Sequence, residues 1–371
     1  MRGKPENGAA EEELLDEDST RVDEDQIRNA VEGKMILVTG AGGSIGSELC
    51  RQIARFHPAG IVGFEIAESA LFAIDREMQR SYPLIPFHAE IGSIQNRARI
   101  DEVLGQYRPE MIFHTAAYKH VPLMEAHPFE AVENNIFGTY NVAVAAAEHN
   151  VEDYILISTD KAARPTSVMG ATKRATELLL AALKNGRTRY VAIRLGNILG
   201  SNGSVVPIFK QQIAAGGPVT VTHPAMRRYF MTNPNACRLL LQASAIGEGG
   251  GVYVLDMGTP IKILDLAKKM ILLSGYKQDE IKIEFTGIRP GEKLEEEGML
   301  EGTIPTRHEK IWRLQALPTI DLLTGLESLR DICEAHDLGR LVAALKEVVP
   351  EYSPSASLII RARRQETIVA V

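Results

Sequence analysis

The sequence predicts an α/β protein built on a doubly wound parallel sheet, with a smaller lobe toward the C-terminus. Three observations predict it. From residue 35, short β-branched runs alternate with amphipathic stretches, and a glycine-rich turn follows the first run. The composition of the 371 residues, 45% hydrophobic and 24% charged, is globular and sufficient for one sizeable core plus an appended lobe.

Residues 1–32 hold eleven acids against four bases, which matches the whole chain's net charge of −7 and leaves the body balanced. They read as an acidic, solvated arm, whose sign argues against nucleic-acid or anionic-membrane partners. Residues 35–39, 60–64, 84–88, 111–114 and 154–158 read as strands, and 190–195 as a sixth. Residues 44–55, 69–80, 94–107, 128–149 and 169–184 read as the helices between and after them. Strands joined this way need right-handed crossovers, which cover both faces of a parallel sheet. Residues 33–196 are thus expected to form a Rossmann-type unit. Beyond it, turn clusters such as Gly200-Ser201-Asn202-Gly203 and Arg289-Pro290-Gly291 break the alternation, so 197–310 reads as a second lobe on the sheet's carboxyl edge. Residues 311–371 are an extension of unknown role, with a helix over 339–349 and a basic, non-periodic end at 361–364.

No stretch approaches the roughly eighteen apolar residues of a membrane-spanning helix, and no signal peptide is evident. Cys50, Cys237 and Cys333 are far apart and lack metal-ligand spacing. A soluble, cytoplasmic protein with reduced thiols and no metal is expected.

The glycine turn, Gly40-Ala41-Gly42-Gly43-Ser44-Ile45-Gly46, ends the first strand and opens the first helix. Glycines there permit a tight turn and let backbone N–H groups approach a pyrophosphate that the helix N-terminus favours. Glu65, at the end of the second strand, suits both hydroxyls of an adenosine ribose and disfavours a 2′-phosphate, so NAD is expected. The competing reading of Glu65 is a solvated strand-end acid. Glu90 and Ile91 are candidates to meet the adenine. Thr115, Ala116 and Ala117 offer small side chains where a cofactor backbone must pass.

Thr159, Asp160 and Lys161 follow the fifth strand, at the edge where open parallel sheets bind ligands; the plain alternative is a solvated loop pair. Met169 and Lys173 lie one helical turn apart on the next helix. Met169 alone reads as core filler.

Residues 38–46, 114–125 (HTAAYKHVPLME), 158–173 (STDKAARPTSVMGATK), 194–208 (RLGNILGSNGSVVPI) and 287–295 (GIRPGEKLE) resemble nucleotide-sugar dehydratases of the extended short-chain dehydrogenase/reductase superfamily. The resemblance spans roughly 30–310 and is greatest to the UDP-N-acetylglucosamine 4,6-dehydratases of polysaccharide biosynthesis and protein glycosylation that carry methionine where relatives have a catalytic tyrosine. Those relatives carry membrane helices ahead of this domain, so a soluble short form or a truncation of an anchored enzyme is expected here.

The resemblance implies a redox-neutral dehydration of a UDP-sugar: oxidation at C4 by NAD, loss of water across C5–C6, and return of the hydride to C6. Lys161 is then the expected C5 base, Asp160 the acid for the 6-hydroxyl, Thr159 a partner of the 4-oxygen, and Lys173 the nicotinamide-ribose ligand. Asp160 is also the suggested acceptor of the 4-hydroxyl proton. Asn197 and Arg289 resemble UDP-binding positions. Arg228 is a further pyrophosphate candidate or a surface cation. Lys119 and His120 are candidates to line the hexose pocket or to serve packing.

The helices over 128–149 and 169–184 are expected to form a four-helix bundle with a second copy, giving a homo-oligomer; burial within one chain is the alternative. A UDP-hexose 4-epimerase is the rival enzyme, but it should keep tyrosine at position 169. A non-catalytic dinucleotide-binding scaffold would let Asp160, Lys161 and Lys173 drift.

Overall fold

The structure is a computed structural model that describes residues 14–15, 20–183, 186–277, 279–296, 301–317 and 322–369. Its centre is a nine-stranded sheet: β1 (Met35–Thr39), β2 (Gly60–Glu65), β3 (Phe87–Ile91), β4 (Met111–His114), β5 (Asp153–Thr159), β6 (Arg189–Leu195), β7 (Gly251–Leu255), β8 (Thr303–Pro305) and β9 (Ile311–Leu314), in the spatial order β8-β9-β7-β6-β5-β4-β1-β2-β3. The seven strands from β3 to β7 pair in parallel, while β9 pairs antiparallel with both β7 and β8. This is the expected doubly wound architecture, and its sheet continues past residue 196 because the chain returns through β7 to extend it.

Period-two alternation decides which side chains face which layer. Ile36, Val38, Ile155, Ile157, Val191 and Ile193 enter one apolar cluster, and Leu37, Tyr154, Leu156, Tyr190 and Ala192 enter the other. The first cluster is closed by α1 (Glu24–Val31), α2 (Ser44–Ala54) and α3 (Glu68–Ser81); the second by α4 (Arg97–Tyr107), α5 (Gly138–Glu148) and α6 (Val168–Ala182). A further helix, α7 (Asn233–Ile246), packs against α1 and α2.

Four sequence expectations need correction. The acidic segment is not solvated throughout: residues 1–13 and 16–19 lie outside the described residues, but α1 is capped by Asp23 and buries Ile27 and Val31 in the core. The third strand begins at Phe87 instead of residue 84. Pro86 has no N–H for a ladder and uses its carbonyl to accept from Ile61, while Leu84 is 92% exposed. The helix expected over 128–149 is interrupted by a π-helical segment, Val132–Phe137, ahead of α5.

The last correction concerns the C-terminal extension. It forms β9 and three helices, α8 (Leu322–Glu334), α9 (Leu338–Val348) and α10 (Ala356–Val369), instead of one. Leu329, Leu341, Leu345, Val349 and Leu358 bury against Val132, Ile136, Val168, Ala175 and Leu179. The apolar face expected to meet a second copy is therefore covered by the chain's own helices. Residues 197–296 contribute a small lobe whose core joins Phe209, Val219, Val221, Leu266 and Ile271.

Candidate functional site

Two clusters stand side by side at the carboxyl ends of β1, β4, β5 and β6. The first is the glycine turn. Gly40 has φ +69°, and a Cβ there would lie 2.9 Å from the Ala116 amide, so the turn and the 115–117 loop meet backbone to backbone. At Gly46 a Cβ would sit 2.1 Å from the Gly40 carbonyl oxygen. Gly43 is the N-cap of α2 and supplies no side-chain cap, while Ser44 accepts from Asn202 N at 3.1 Å and binds this turn to the smaller lobe. Ile45 packs partly buried against the core.

The Glu65 carboxylate arches over the turn, accepting from Gly42 N at 3.1 Å and from Ile66 N and Ala67 N at 2.9 and 3.0 Å. Thr115 donates to the Thr39 carbonyl at 2.7 Å, with Ala116 and Ala117 half-buried beside it. Uncapped helical N–H groups, a cradle that any Cβ would fill and a carboxylate at the second strand's end form a donor set that fits a dinucleotide. Glu90, by contrast, is already engaged by Tyr107 at 2.6 Å and by Arg99, and Ile91 is exposed next to it.

The second cluster begins where β5 passes into a single 3₁₀ turn, Asp160–Ala162. The Thr159 side chain caps that turn and donates to Asp160 Oδ1 at 2.8 Å. Lys161 Nζ reaches the same oxygen at 2.9 Å and Asn197 Oδ1 at 3.2 Å. The Asp160 side chain is 1% exposed, and among the described residues its Oδ2 has no hydrogen-bond partner. Burial works against the charge on Lys161, but Asp160 and Glu296 outweigh both burial and Arg228, raising its pKa. The resting amine is therefore an ammonium.

The turn can approach α6 closely because residue 170 is glycine: a Cβ there would lie 2.4 Å from the Lys161 carbonyl oxygen. Ser167 caps α6, accepting from Gly170 N at 3.1 Å. Met169 is 3% exposed and packs in the apolar cluster formed with the C-terminal helices. Lys173 is buried one turn later, and burial lowers its pKa to about 8 despite Glu177.

The remaining candidates separate. Asn197 joins Lys161 directly, while its Nδ2 donates to the Tyr229 carbonyl at 2.9 Å. Arg228 directs Nη2 to the Lys293 carbonyl at 2.8 Å and Nη1 to that of Leu294 at 3.3 Å, so its fork is occupied by the 293–294 backbone. Arg289 is exposed and held by Glu292 at 2.5 Å. Lys119 and His120 are exposed; His120 packs on Gly203, and burial, Lys119 and Arg289 lower its pKa.

Sequence reasoning missed three residues. Asn135, in the π segment, accepts from Tyr118 N at 2.8 Å and donates to Thr172 Oγ1 at 3.1 Å, tying the 115–118 loop to α6; a break in helical period was the available signal. Glu177 is buried on α6 between Arg174 and Arg194, at 3.0 and 2.6 Å. Glu296 enters the second cluster from the smaller lobe, its Oε1 3.6 Å from both Lys161 Nζ and Arg228 Nε.

Fold and site together define an α/β protein with a doubly wound, Rossmann-type sheet and a dinucleotide-type glycine turn. The chain belongs to the polysaccharide biosynthesis protein family, whose pattern matches residues 36–316. It is 52% identical over 307 residues to the capsular polysaccharide biosynthesis protein CapD of Staphylococcus aureus, covering 81% of this chain and 51% of CapD. It is 48% identical over 342 residues to the probable polysaccharide biosynthesis protein EpsC of Bacillus subtilis, covering 90% of this chain and 57% of EpsC. The chain thus spans about half the length of these relatives. Among solved structures, Pen from Bacillus thuringiensis superposes with a TM-score of 0.69 at 31% identity, over 78% of this chain and 90% of Pen. No helix among the described residues is long and apolar enough to cross a membrane.

Proposed function

We propose that the chain is an NAD-dependent nucleotide-sugar 4,6-dehydratase acting on UDP-N-acetylglucosamine in the biosynthesis of a surface polysaccharide or glycan. The ion pair of buried Asp160 with half-buried Lys161 at 2.9 Å, beside a dinucleotide cradle and next to an apolar Met169, carries this reading. The names of CapD and EpsC support the pathway. Gly40, Gly43, Gly46, Glu65 and Lys173 would hold NAD, which when bound takes the hydride from C4 and returns it to C6.

The chain's own groups move the protons. Asp160 accepts the 4-hydroxyl proton, in place of the tyrosine that Met169 replaces. Thr159 donates a hydrogen bond to the 4-oxygen. Oxidation at C4 acidifies the C5 proton, which Lys161 removes once its amine is neutral. Asp160, now protonated, gives its proton to the departing 6-hydroxyl, so water leaves and the carboxylate is regenerated. Lys161 returns a proton to C5 at the end. Arg289 and Asn197 would face the UDP portion, where a guanidinium suits a pyrophosphate.

Incubation with UDP-N-acetylglucosamine in deuterated water tests this. The expected product is a 4-keto-6-deoxy sugar carrying deuterium at C5. Conversion to UDP-N-acetylgalactosamine, or release of free UDP, would reject the reading. Lys161→Met should abolish elimination and leave NAD affinity unchanged, as read by calorimetry.

A further inference from the structure

The segment from Gly287 to Glu296 connects the outside of the site to its interior. At its outer end, Arg289 is 55% exposed. In the middle, Gly291 (φ +76°) presses so closely on the start of α6 that a Cβ would lie 2.9 Å from Ser167 Cβ. Arg228 then grips the carbonyls of Lys293 and Leu294, and the Lys293 amine donates to the Ala163 carbonyl at 3.1 Å. The inner end is Glu296, whose side chain is 3% exposed and whose Oε2 has no hydrogen-bond partner among the described residues.

Such an orphan oxygen costs about 1–3 kcal/mol, more when the group is charged, so its retention needs a reason. Among the described residues, Asp160 Oδ2 is also without a partner. Lys161 therefore stands between two buried carboxylates, each with an unused acceptor oxygen. Among the described residues, the other groups facing this cluster are Thr159, Asn197, Arg228 and Tyr229, the last of which also feels Glu295 and Asp256.

We propose that Glu296 is a positioning residue for the proton chemistry: it holds the Lys161 amine together with Asp160 and stores its proton during turnover. This rests on the dehydratase reading for its role in catalysis. Lys161 starts as an ammonium and cannot take a proton from carbon in that form. When the pair closes from 3.6 Å to hydrogen-bond distance, an N–H bond of Lys161 breaks and an O–H bond forms on Glu296, leaving a neutral amine and a neutral acid. Lys161 can then take the C5 proton and later return it, after which Glu296 gives back the stored proton. No net proton is gained or lost in this exchange. Because Glu296 lies on the segment that carries Arg289, a nucleotide docking at Arg289 would pull on the same strap.

Two readouts test the proposal, one of them independent of substrate. The pH dependence of Lys161 acylation by a small amine-reactive ester, read by peptide mass spectrometry on the whole protein, reports how readily the amine loses its proton. In Glu296→Gln a negative charge is gone, so the midpoint should fall by about one pH unit. With UDP-N-acetylglucosamine, kcat should fall about tenfold with KM nearly unchanged, and the acidic limb of the kcat profile should move to lower pH in step with the acylation midpoint. Glu296→Asp keeps the charge but withdraws it by one methylene, and should fall between wild type and Glu296→Gln on both readouts. Wild-type midpoint and kcat in either folded variant overturn the proposal, whatever sugar the protein uses. Absence of the 4-keto-6-deoxy product from the wild-type protein instead rejects the dehydratase reading and leaves the acylation result to stand alone.

Discussion

Lys173, proposed to hold the cofactor's ribose, illustrates how a buried amine works against the fold that holds it. Its amine is buried in α6, and burial lowers its pKa from the ordinary 10.5 to about 8. At neutral pH the native state must therefore carry a cation that the unfolded chain would solvate better. Lys173→Met, close in volume and apolar, is expected to raise the thermal midpoint, with a gain of about 1–3 kcal/mol near pH 7, while NAD affinity collapses. The sign follows from linkage. Between pH 8 and 10.5 the unfolded chain binds a proton at Lys173 that the native chain does not, so wild-type stability rises with pH across that window. The advantage of the methionine variant should shrink over the same range in calorimetric scans, and an unchanged gap would refute the assignment. Single residues were legible where chemistry is local. Asp160 and Lys161 are adjacent in the chain, so their pairing at 2.9 Å could be anticipated, although the sequence alone left a solvated loop pair as the alternative. Glu296 lies in a run of glutamates that reads as solvated charge, and only the fold brings it to Lys161. Arg228 has the right chemistry for a phosphate, and its Nη groups donate to the 293–294 backbone while its Nε lies 3.6 Å from Glu296.

At the scale of elements, the contact between the Asp160–Ala162 turn and α6 determines whether the Asp160–Lys161 pair stays at the sheet edge. Gly170 makes that contact possible, because a Cβ would lie 2.4 Å from the Lys161 carbonyl. Gly170→Ala must push the turn away from the helix, at about 1–3 kcal/mol of stability. Turnover should fall at least tenfold from the misplaced Lys161, since small displacements of reacting groups are costly. NAD binding should persist, because the glycine turn after β1 is untouched; calorimetric titration beside a turnover assay separates the two. The elements themselves were largely readable. Buried parallel strands are short apolar runs, and that signal locates five of them, β1, β2, β4, β5 and β6. The third strand was misjudged because Leu84 is apolar yet stands between Pro83 and Pro86, which end any ladder there. Helix α10 was hidden for the opposite reason. Its basic residues masked the apolar period, although Arg361 uses its charge to hold the carbonyls of Glu125 and Ala126, at 2.6 and 3.1 Å.

Across the whole molecule, the C-terminal helices determine which surfaces the protein presents. The sequence suggested that the apolar faces beside Met169 would meet a second copy, and nothing in a local pattern distinguishes that from cover supplied much later in the same chain. The structure supplies the cover through α8, α9 and α10, and fastens it to the site's scaffold. Glu351 pairs with Arg174 at 2.7 Å, and the Ser355 hydroxyl donates at 2.6 Å to Glu125, whose other oxygen accepts from Val168 N at the start of α6. Removing residues 318–371 would leave Val132, Ile136, Val168, Ala175 and Leu179 facing water, an apolar patch of the kind that drives association. The truncated chain should therefore self-associate or precipitate under conditions where the full chain does not, as read by light scattering on a sizing column. A gentler variant tests the same packing without exposing the whole face. Leu341→Ala empties a fully buried site in α9 and should cost about 2–5 kcal/mol in denaturant titrations, with the glycine turn's affinity for NAD unaffected. If that variant melts like wild type and the truncated chain behaves as the full chain does in scattering, the C-terminal helices are not part of the core, and the face beside Met169 becomes available again for a second copy.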